Sequence, residues 1–156
     1  MYRTIFHPSN QSEYYRDNQL LFKVKRKRLL LGIRNQCTIY KNDDLVCEFY
    51  SSEFMFLYWE LQILQQKFDK EITLKKKGSN YNLMVDMKSI SIKFTSNPFQ
   101  KMIGKIFIDE ECVGEIKKNE KKSETHFDFD FYNFTGLEYY ILVLFSMYSV
   151  GITDSP

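Results

Sequence analysis

The sequence predicts a mainly β domain, either a barrel or a sandwich, folded around a single hydrophobic helix near its C-terminal end. Residues 137–152 carry one charge, Glu138, and are otherwise mostly apolar. About ten to twelve short runs of alternating apolar and polar residues precede them, a rhythm typical of barrels and sandwiches. Alanine, the strongest helix former, is absent, and aromatic residues reach 17%. A codon bias toward Lys, Asn, Ile, Phe and Tyr would give the same composition.

The chain of 156 residues is expected to fold as one domain, residues 1–156. Residues 1–18 are polar and aromatic and are predicted to be a loosely packed lead-in. They contain no apolar run of the kind found in signal peptides. Cys37, Cys47 and Cys112 are odd in number and widely spaced, which favours free thiols in a reducing cytoplasm.

From residue 20 onwards the chain alternates between predicted strands and turns. Each hairpin has turn-forming residues between two alternating runs, as Asn42, Asp43 and Asp44 illustrate. The last run is the most regular, and it predicts that Phe127 and its two phenylalanine neighbours face the core. The predicted strands lie in the hairpins 38–50, 72–85 and 103–118 and in the single runs 89–94 and 125–132.

Residues 53–68 fit two structures about equally. Six residues keep helical spacing, whereas the run 62–64 keeps none: Phe54, Leu57, Tyr58, Leu61, Leu64 and Phe68. One amphipathic helix and two strands joined by a tight bend are both compatible with it. We favour the strands, because the neighbouring segments are strands.

The apolar C-terminal run predicts a buried helix over residues 136–150. A helix that is apolar on all sides has to be covered by the rest of the protein. A buried pair of strands is the first alternative, because the run is rich in β-favouring residues. A tail anchor is the second, although about 22 Å of helix is short against a bilayer core of roughly 30 Å.

Both ends of this helix carry specific signals. Thr135 and Glu138 fit a capping box, in which the hydroxyl binds the Glu138 amide and the carboxylate binds the Thr135 amide. Phe134 and Tyr139 occupy the positions of a hydrophobic staple. Gly151 is placed where a left-handed C-terminal cap is expected.

The hairpins at residues 40–46 (YKNDDLV) and 108–116 (IDEECVGEI), followed by the apolar helix, resemble the tubby C-terminal-like superfamily. That superfamily includes the LURP-one-related and phospholipid-scramblase-like proteins, and the resemblance covers residues 20–152. It implies a closed antiparallel β-barrel of twelve strands enclosing the C-terminal helix, and a binding scaffold without enzymatic activity. The tubby domain binds phosphoinositide head groups through basic barrel residues. No segment of this chain matches that binding motif residue by residue.

One basic run is the strongest candidate ligand-binding site: Lys23, Lys25, Arg26, Lys27 and Arg28 place five cations in six residues. On a strand the three lysines would share one face and the two arginines the other. Near an anionic membrane each cation contributes roughly 1 kcal/mol. The alternative is a solvated edge strand, where lysines discourage pairing with other chains.

Lys75, Lys76 and Lys77 form a second basic cluster before Gly78, and they fit either a ligand contact or a solvated hairpin tip. The net charge is only +2, so no overall field attracts nucleic acid. The aromatic residues are also expected in the core rather than on a base-stacking platform. We therefore expect no nucleic-acid partner.

His126, Asp128 and Asp130 alternate on one strand face, which would suit a metal site or acid–base chemistry. Their outer members are roughly 13 Å apart along a strand, too far to share one ion. The other interpretation is a polar outer surface opposite the phenylalanines. The chain has no phosphate-binding loop, nucleophile elbow or paired cysteine motif. We expect no enzyme activity, no catalytic residue, no metal and no cofactor.

Two functions remain open. The first is recognition of an anionic phospholipid head group or a membrane surface. The second is a protein-interaction module, such as an inhibitor, immunity or assembly protein, with Phe56, Tyr58 and Trp59 as candidate partner-binding residues. The expected location is the cytoplasm, with peripheral attachment to the inner membrane under the first function.

Overall fold

The computed structural model describes residues 1–54, 58–95, 100–121 and 123–152. These residues form twelve strands and one helix, in this order: β1 (Tyr2–His7), β2 (Gln11–Arg16), β3 (Gln19–Leu29), β4 (Arg34–Lys41), β5 (Asp44–Phe54), β6 (Tyr58–Gln66), β7 (Ile72–Lys77), β8 (Asn80–Val85), β9 (Lys88–Phe94), β10 (Met102–Ile108), β11 (Glu111–Lys121), β12 (Glu124–Phe131) and α1 (Glu138–Ile152). A short 3-10 turn, Leu30–Gly32, lies between β3 and β4.

The twelve strands form one antiparallel sheet that curls into a nearly closed barrel. Its order is β6-β5-β4-β3-β2-β1-β12-β11-β10-β9-β8-β7. Because every strand runs opposite to its neighbours, all turns that follow odd-numbered strands lie at one end of the barrel. All turns that follow even-numbered strands lie at the other. The predicted mainly β barrel around a C-terminal helix is confirmed.

The two ends differ in charge. The turns after the even-numbered strands contain acids, and we call this the acidic end: Asp17, Asp43, Asp86, Asp109 and Glu110. The arginines and lysines that flank the turns after β3 and β7 define the basic end: Arg26, Lys27, Arg28, Arg34, Lys75, Lys76 and Lys77. Arg16, Lys41, Lys67, Lys70 and Lys88 also lie at the acidic end, so acids outnumber bases there without being alone, and the charge difference between the two ends is partial.

Tight turns set the register of the hairpins at the acidic end. The two residues between β2 and β3, Asp17 and Asn18, both have positive φ. The same holds between β8 and β9, where the residues are Asp86 and Met87. Two successive positive φ angles define the turn whose twist matches that of paired strands. Asp and Asn tolerate this conformation better than most residues.

The helix lies inside the barrel. Every residue from 140 to 148 is buried, and Phe145 packs at the centre. Its ring centroid is 5.2 Å from that of Phe127 and 5.0 Å from that of Phe129. A fully buried side chain of this size contributes about 1.5–3 kcal/mol to stability. The sheet therefore covers the apolar helix in the way that its sequence requires.

Two tyrosines fix the position of the helix along the barrel axis. Tyr148 Oη donates to the Tyr81 carbonyl at 2.8 Å and accepts from the Tyr81 N–H at 2.9 Å. Tyr140 Oη accepts from the Lys70 N–H at 3.0 Å. Since Tyr81 lies at the start of β8 and Lys70 lies between β6 and β7, the helix begins at the acidic end and finishes at the basic end.

The capping signals are only partly realised. The Thr135 N–H donates to the Glu138 carboxylate at 2.5 Å, as predicted, but Thr135 Oγ1 accepts from the Leu137 amide instead of the Glu138 amide. The predicted staple is wrong, because Phe134 is 78% exposed. The predicted cap at Gly151 is also wrong, since the helix continues to Ile152.

The barrel closes between β6 and β7 without a main-chain ladder across the seam in the part of the chain that the structure describes. Side chains span the gap instead. Gln66 Nε2 donates to the Ile72 carbonyl at 2.7 Å, and Gln66 Oε1 accepts from the Ile72 N–H at 2.8 Å. Farther along, Lys76 Nζ donates to the Trp59 carbonyl at 3.4 Å.

The predicted lead-in is wrong. Residues 1–18 contain β1 and β2, which pair with each other, with β12 and with β3. The inward-facing residues Thr4, Ser12 and Tyr14 are buried. For residues 53–68 the favoured strands are confirmed, because β5 extends to Phe54 and β6 starts at Tyr58.

Within the described ranges, no helix combines the length and apolarity that crossing a bilayer requires.

Candidate functional site

The basic run lies on β3, and strand alternation separates it into two sets. Arg26 pairs in register with Cys37, and Arg28 pairs with Asn35. Both partners are buried, so the arginines share the interior face of the sheet with them. The lysines of the run alternate to the outer face. The predicted division of this run into an arginine face and a lysine face is confirmed.

The two arginines line a pocket at the basic end with a volume of about 170 Å³. The pocket opens between the β1–β2 turn and β3. His7, Asn10 and Ser12 form one wall, the arginines form another, and Ser146 of the helix closes the inner side. The pocket therefore combines five elements: β1, β2, β3, β4 and α1.

Asn10 holds one arginine in place. Arg26 Nη2 donates to Asn10 Oδ1 at 2.9 Å, and the Arg26 main-chain N–H donates to the Asn10 carbonyl at 2.9 Å. Asn10 has a positive φ of 59°, a conformation that Asn tolerates well. The β1–β2 turn thus orients the guanidinium of Arg26 at the pocket.

Buried polar side chains also lie near the arginines. Ser12 and Ser146 line the pocket, and buried Asn35 pairs in register with Arg28 and with buried Ser51. Asn35 Oδ1 is a buried acceptor with no hydrogen-bond partner among the residues that the structure describes. The C-terminal end of the helix also points to this side, and its partial negative charge favours nearby cations. A buried acceptor and a helix C-terminus both help to keep arginines at this end of the barrel.

The lysines of β3 interact with the outer surface. Lys23 Nζ is 3.5 Å from a carboxylate oxygen of Glu13. Lys25 Nζ is 5.2 Å from the ring centroid of Tyr40, within the range of a cation–π contact. Lys25 and Lys27 are exposed. These lysines add positive potential beside the pocket without lining it.

Glu13 joins this outer surface to the pocket wall. His7 Nε2 lies 3.0 Å from Glu13 Oε2, and the Tyr15 hydroxyl donates to the same oxygen at 2.8 Å. Burial acts to raise the pKa of Glu13, but the hydrogen bonds from His7 and Tyr15 and the charges of His7 and Lys23 outweigh it and keep that pKa below its ordinary value. Burial, together with the Glu13 carboxylate, raises the pKa of Tyr15 to about 12.

The second basic cluster lies at the same end of the barrel but not beside the pocket. Lys75, Lys76 and Lys77 end β7, which is four positions from β3 across β4, β5 and β6. At about 4.8 Å per strand this is roughly 19 Å along the sheet. Lys77 Nζ is 3.8 Å from a carboxylate oxygen of Glu110. Glu110 belongs to the turn after β10, so Lys77 reaches a carboxylate of the acidic set, and the two basic clusters do not form one pocket.

Sequence reasoning missed the most exposed apolar feature of the chain. Leu29, Leu30, Leu31, Gly32 and Ile33, which we call the leucine turn, connect β3 to β4 at the basic end. Leu31 is fully exposed and Leu30 is 66% exposed. The signal in the sequence is three consecutive leucines between two arginines, where the alternation of the strand stops.

The aromatic candidates give no exposed patch in the described residues. The Trp59 ring packs on the interior side, with its centroid 5.2 Å from that of Tyr81 and 5.0 Å from that of Tyr148. Its Nε1 donates to Ser51 Oγ at 3.3 Å. Phe56 lies outside the described residues, as does the side chain of Tyr58.

The polar face of β12 is used for contacts within the sheet. Arg3 Nε donates to Asp128 Oδ1 at 2.7 Å, and Lys117 Nζ is 3.2 Å from Asp130 Oδ2. His126 Nε2 lies 3.1 Å from Glu124 Oε2. In the described ranges, no group of three or more His, Cys, Asp or Glu side chains is arranged to hold a metal ion.

Comparisons with protein-family models, with curated proteins and with solved structures find no match for this chain. The structure defines its class: a nearly closed antiparallel barrel of twelve strands around a C-terminal helix, with a basic pocket at one end. The resemblance to the tubby C-terminal-like superfamily stays a prediction.

Proposed function

We propose that this domain is a non-enzymatic binding protein that recognises the anionic head group of a phospholipid at its basic end. Arg26 and Arg28 would contact the phosphate in the pocket, and Lys25 and Lys27 would contact neighbouring head groups of the same membrane. Lys75–Lys77 would widen the contact on the far side of the same end.

The observation that supports this proposal most strongly is the pair of arginines on the interior face of β3. A guanidinium presents several N–H donors in a plane, which suits the oxygens of a phosphate. A water molecule takes about 30 Å³ in the liquid, so a pocket of about 170 Å³ has room for a group the size of a phosphate. Neutral polar groups, from Asn10, Ser12 and Ser146, supply further hydrogen-bonding atoms in the lining.

The charge distribution also favours a membrane as the source of the phosphate. A flat anionic surface would be attracted to the basic end more strongly than to the acidic end, where acids outnumber bases, so it would orient the molecule. Each cation held near such a surface contributes roughly 1 kcal/mol. The +2 net charge of the whole chain would not give this attraction without its uneven distribution.

Co-sedimentation with vesicles tests the proposal. The protein is expected to bind vesicles of phosphatidylcholine and phosphatidylserine more strongly than vesicles of phosphatidylcholine alone. The double variant Arg26→Gln and Arg28→Gln should bind the anionic vesicles roughly ten-fold or more weakly. The matched control is Lys41→Gln and Lys88→Gln, which removes the same charge at the acidic end and should bind like the unsubstituted protein.

Three results would reject or redirect the proposal. Equal binding to both kinds of vesicle would reject the proposal. An equal loss of affinity for anionic vesicles in the arginine variant and in the control variant would also reject it. Calorimetric titration with inorganic phosphate distinguishes a lipid head group from a free anion as the ligand of the pocket. Binding of phosphate without any binding of vesicles would assign the pocket to a free anion and reject the lipid.

A further inference from the structure

We propose that the leucine turn inserts into the bilayer interface and anchors the domain there, with the basic end facing the membrane. This inference rests on the proposed function, and it names the element that enters the lipid. It concerns apolar contact with the hydrocarbon boundary, whereas the arginine pocket concerns the head group.

The turn projects two large apolar side chains into solvent. Leu31 is fully exposed, Leu30 is 66% exposed, and Ile33 beside them is 42% exposed. Single exposed apolar residues are common on protein surfaces, but an adjacent group of them at one tip marks an interaction site. The tip lies at the end of β3 and β4, so it extends the barrel at its basic end.

The backbone of the turn is held in a conformation that leucine disfavours. Leu30 has a φ of 49° and Leu31 a φ of 58°. Positive φ is an outlier for a bulky residue, and such outliers persist where the surroundings enforce them and cluster at functional positions. Here the Ile33 N–H donates to the Leu30 carbonyl at 3.2 Å, and the Glu53 N–H donates to the Ile33 carbonyl at 2.9 Å. The turn is therefore tied to β5 and presents the leucines in a fixed position.

Cations surround the apolar tip on both sides in sequence. Lys27 and Arg28 precede it, and Arg34 follows it. The guanidinium carbon of Arg34 lies 5.1 Å from the ring centroid of Tyr50, and its Nε donates to Ser52 Oγ at 3.3 Å. An apolar tip with cations on both sides in the sequence is complementary to a membrane with anionic head groups, where the side chains enter the boundary layer and the charges remain at the surface.

Met87 provides an internal comparison at the opposite end. It is 97% exposed and has a positive φ of 63°, so it matches Leu31 in exposure and backbone conformation. Its neighbours Asp86 and Lys88 are in ion pairs, with Lys70 and with Asp109. The acidic end therefore carries an apolar tip whose neighbouring charges have both signs, and it is not expected to face an anionic membrane.

The first experiment measures how deeply the leucine turn enters the bilayer. Leu31→Trp and Met87→Trp are prepared separately, and their fluorescence is recorded with phosphatidylcholine–phosphatidylserine vesicles that contain brominated acyl chains. The unsubstituted protein gives the baseline, because Trp59 is its only tryptophan. Additional quenching and a blue shift are expected for Leu31→Trp, and the baseline signal is expected for Met87→Trp. Vesicle binding without quenching of Leu31→Trp would overturn the insertion and leave the head-group proposal standing.

The second experiment removes the apolar tip without adding strain. In the variant Leu30→Asn and Leu31→Asn, asparagine tolerates positive φ better than leucine, so the fold should be retained. Partitioning into the anionic vesicles is expected to fall roughly ten-fold or more, because the apolar area that enters the lipid is lost. The control Met87→Asn should partition like the unsubstituted protein. An unchanged partition of the double variant would overturn the insertion, and absence of binding by the unsubstituted protein would overturn both proposals.

Discussion

Gln66 makes two hydrogen bonds to the main chain of Ile72 through one carboxamide, at 2.7 Å and 2.8 Å. An amide side chain has the same donor and acceptor as a peptide group, so Gln66 takes the place of a strand residue where β6 and β7 do not pair. The barrel is closed at this point by a side chain.

Replacement of Gln66 by leucine is expected to destabilise the protein by roughly 1–3 kcal/mol. The change keeps the approximate volume but leaves the N–H and the carbonyl of Ile72 without their partners. The free energy of unfolding in urea checks this. Gln62→Leu, on an exposed residue of the same strand, is the control. An equal loss of unfolding free energy in the two variants would show that the seam between β6 and β7 does not depend on Gln66.

Replacement of Tyr148 by phenylalanine is expected to cost about 1–3 kcal/mol, because its hydroxyl satisfies both main-chain groups of Tyr81 in a buried position. Tyr140→Phe removes a single hydrogen bond, to the half-buried Lys70 amide, and should cost about 1 kcal/mol or less. Urea unfolding followed by Trp59 fluorescence measures both, since the Trp59 ring contacts Tyr148. A larger loss of unfolding free energy in Tyr140→Phe than in Tyr148→Phe would contradict the proposed anchoring of the helix.

Glu13 is expected to make the stability depend on pH in the acid range. Its pKa in the folded protein lies below the ordinary value of 4.5. A lowered pKa means that the unfolded chain binds the proton more readily, so the stabilisation is complete above the ordinary value and disappears as the pH falls through the folded-state pKa.

The variant Glu13→Gln should therefore be less stable than the unsubstituted protein at neutral pH, and the difference should vanish in strong acid. Unfolding in urea at a series of pH values gives the comparison. Glu111→Gln, at an exposed residue of β11, is the control that removes the same charge. A difference for Glu13→Gln that stays constant over the whole series would argue against this linkage.

The three thiols are expected to react at different rates. Burial raises the pKa of Cys37 and of Cys47 to about 12, and both side chains are fully buried. Cys112 is only half-buried. Because the thiolate is the reactive form, iodoacetamide should label Cys112 first in the folded protein and all three after unfolding. Mass spectrometry of digested samples reports the order of labelling. If Cys37 were labelled as fast as Cys112 in the folded protein, the burial of Cys37 would be contradicted.

The fold could be predicted where apolar residues alternate. Phe127 and Phe129 face the core as their period of two requires. The N-terminal hairpin could not be predicted in this way. Its inward residues Thr4 and Ser12 are polar, so the two faces of these strands do not differ in hydrophobicity as those of the other strands do. Their burial depends on the strands and the helix around them, which local sequence does not show.

The candidate site could be predicted only in part. Alternation alone placed Arg26 and Arg28 on one face of β3. The pocket also needs His7, Asn10 and Ser146, which come from distant parts of the chain and meet only in the closed barrel. The closure of the sheet, rather than any motif, brings these residues together.

The most direct test of the account is a map of amide signals by nuclear magnetic resonance during titration with nanodiscs of phosphatidylcholine and phosphatidylserine. The signals at the basic end, in the turns at residues 8–10, 30–33 and 78–79, are expected to change and broaden. Those at the acidic end, at residues 17–18, 42–43 and 86–87, should stay in place. Changes confined to the acidic end, or spread equally over both ends, would contradict the assignment of the basic end as the surface that binds lipid.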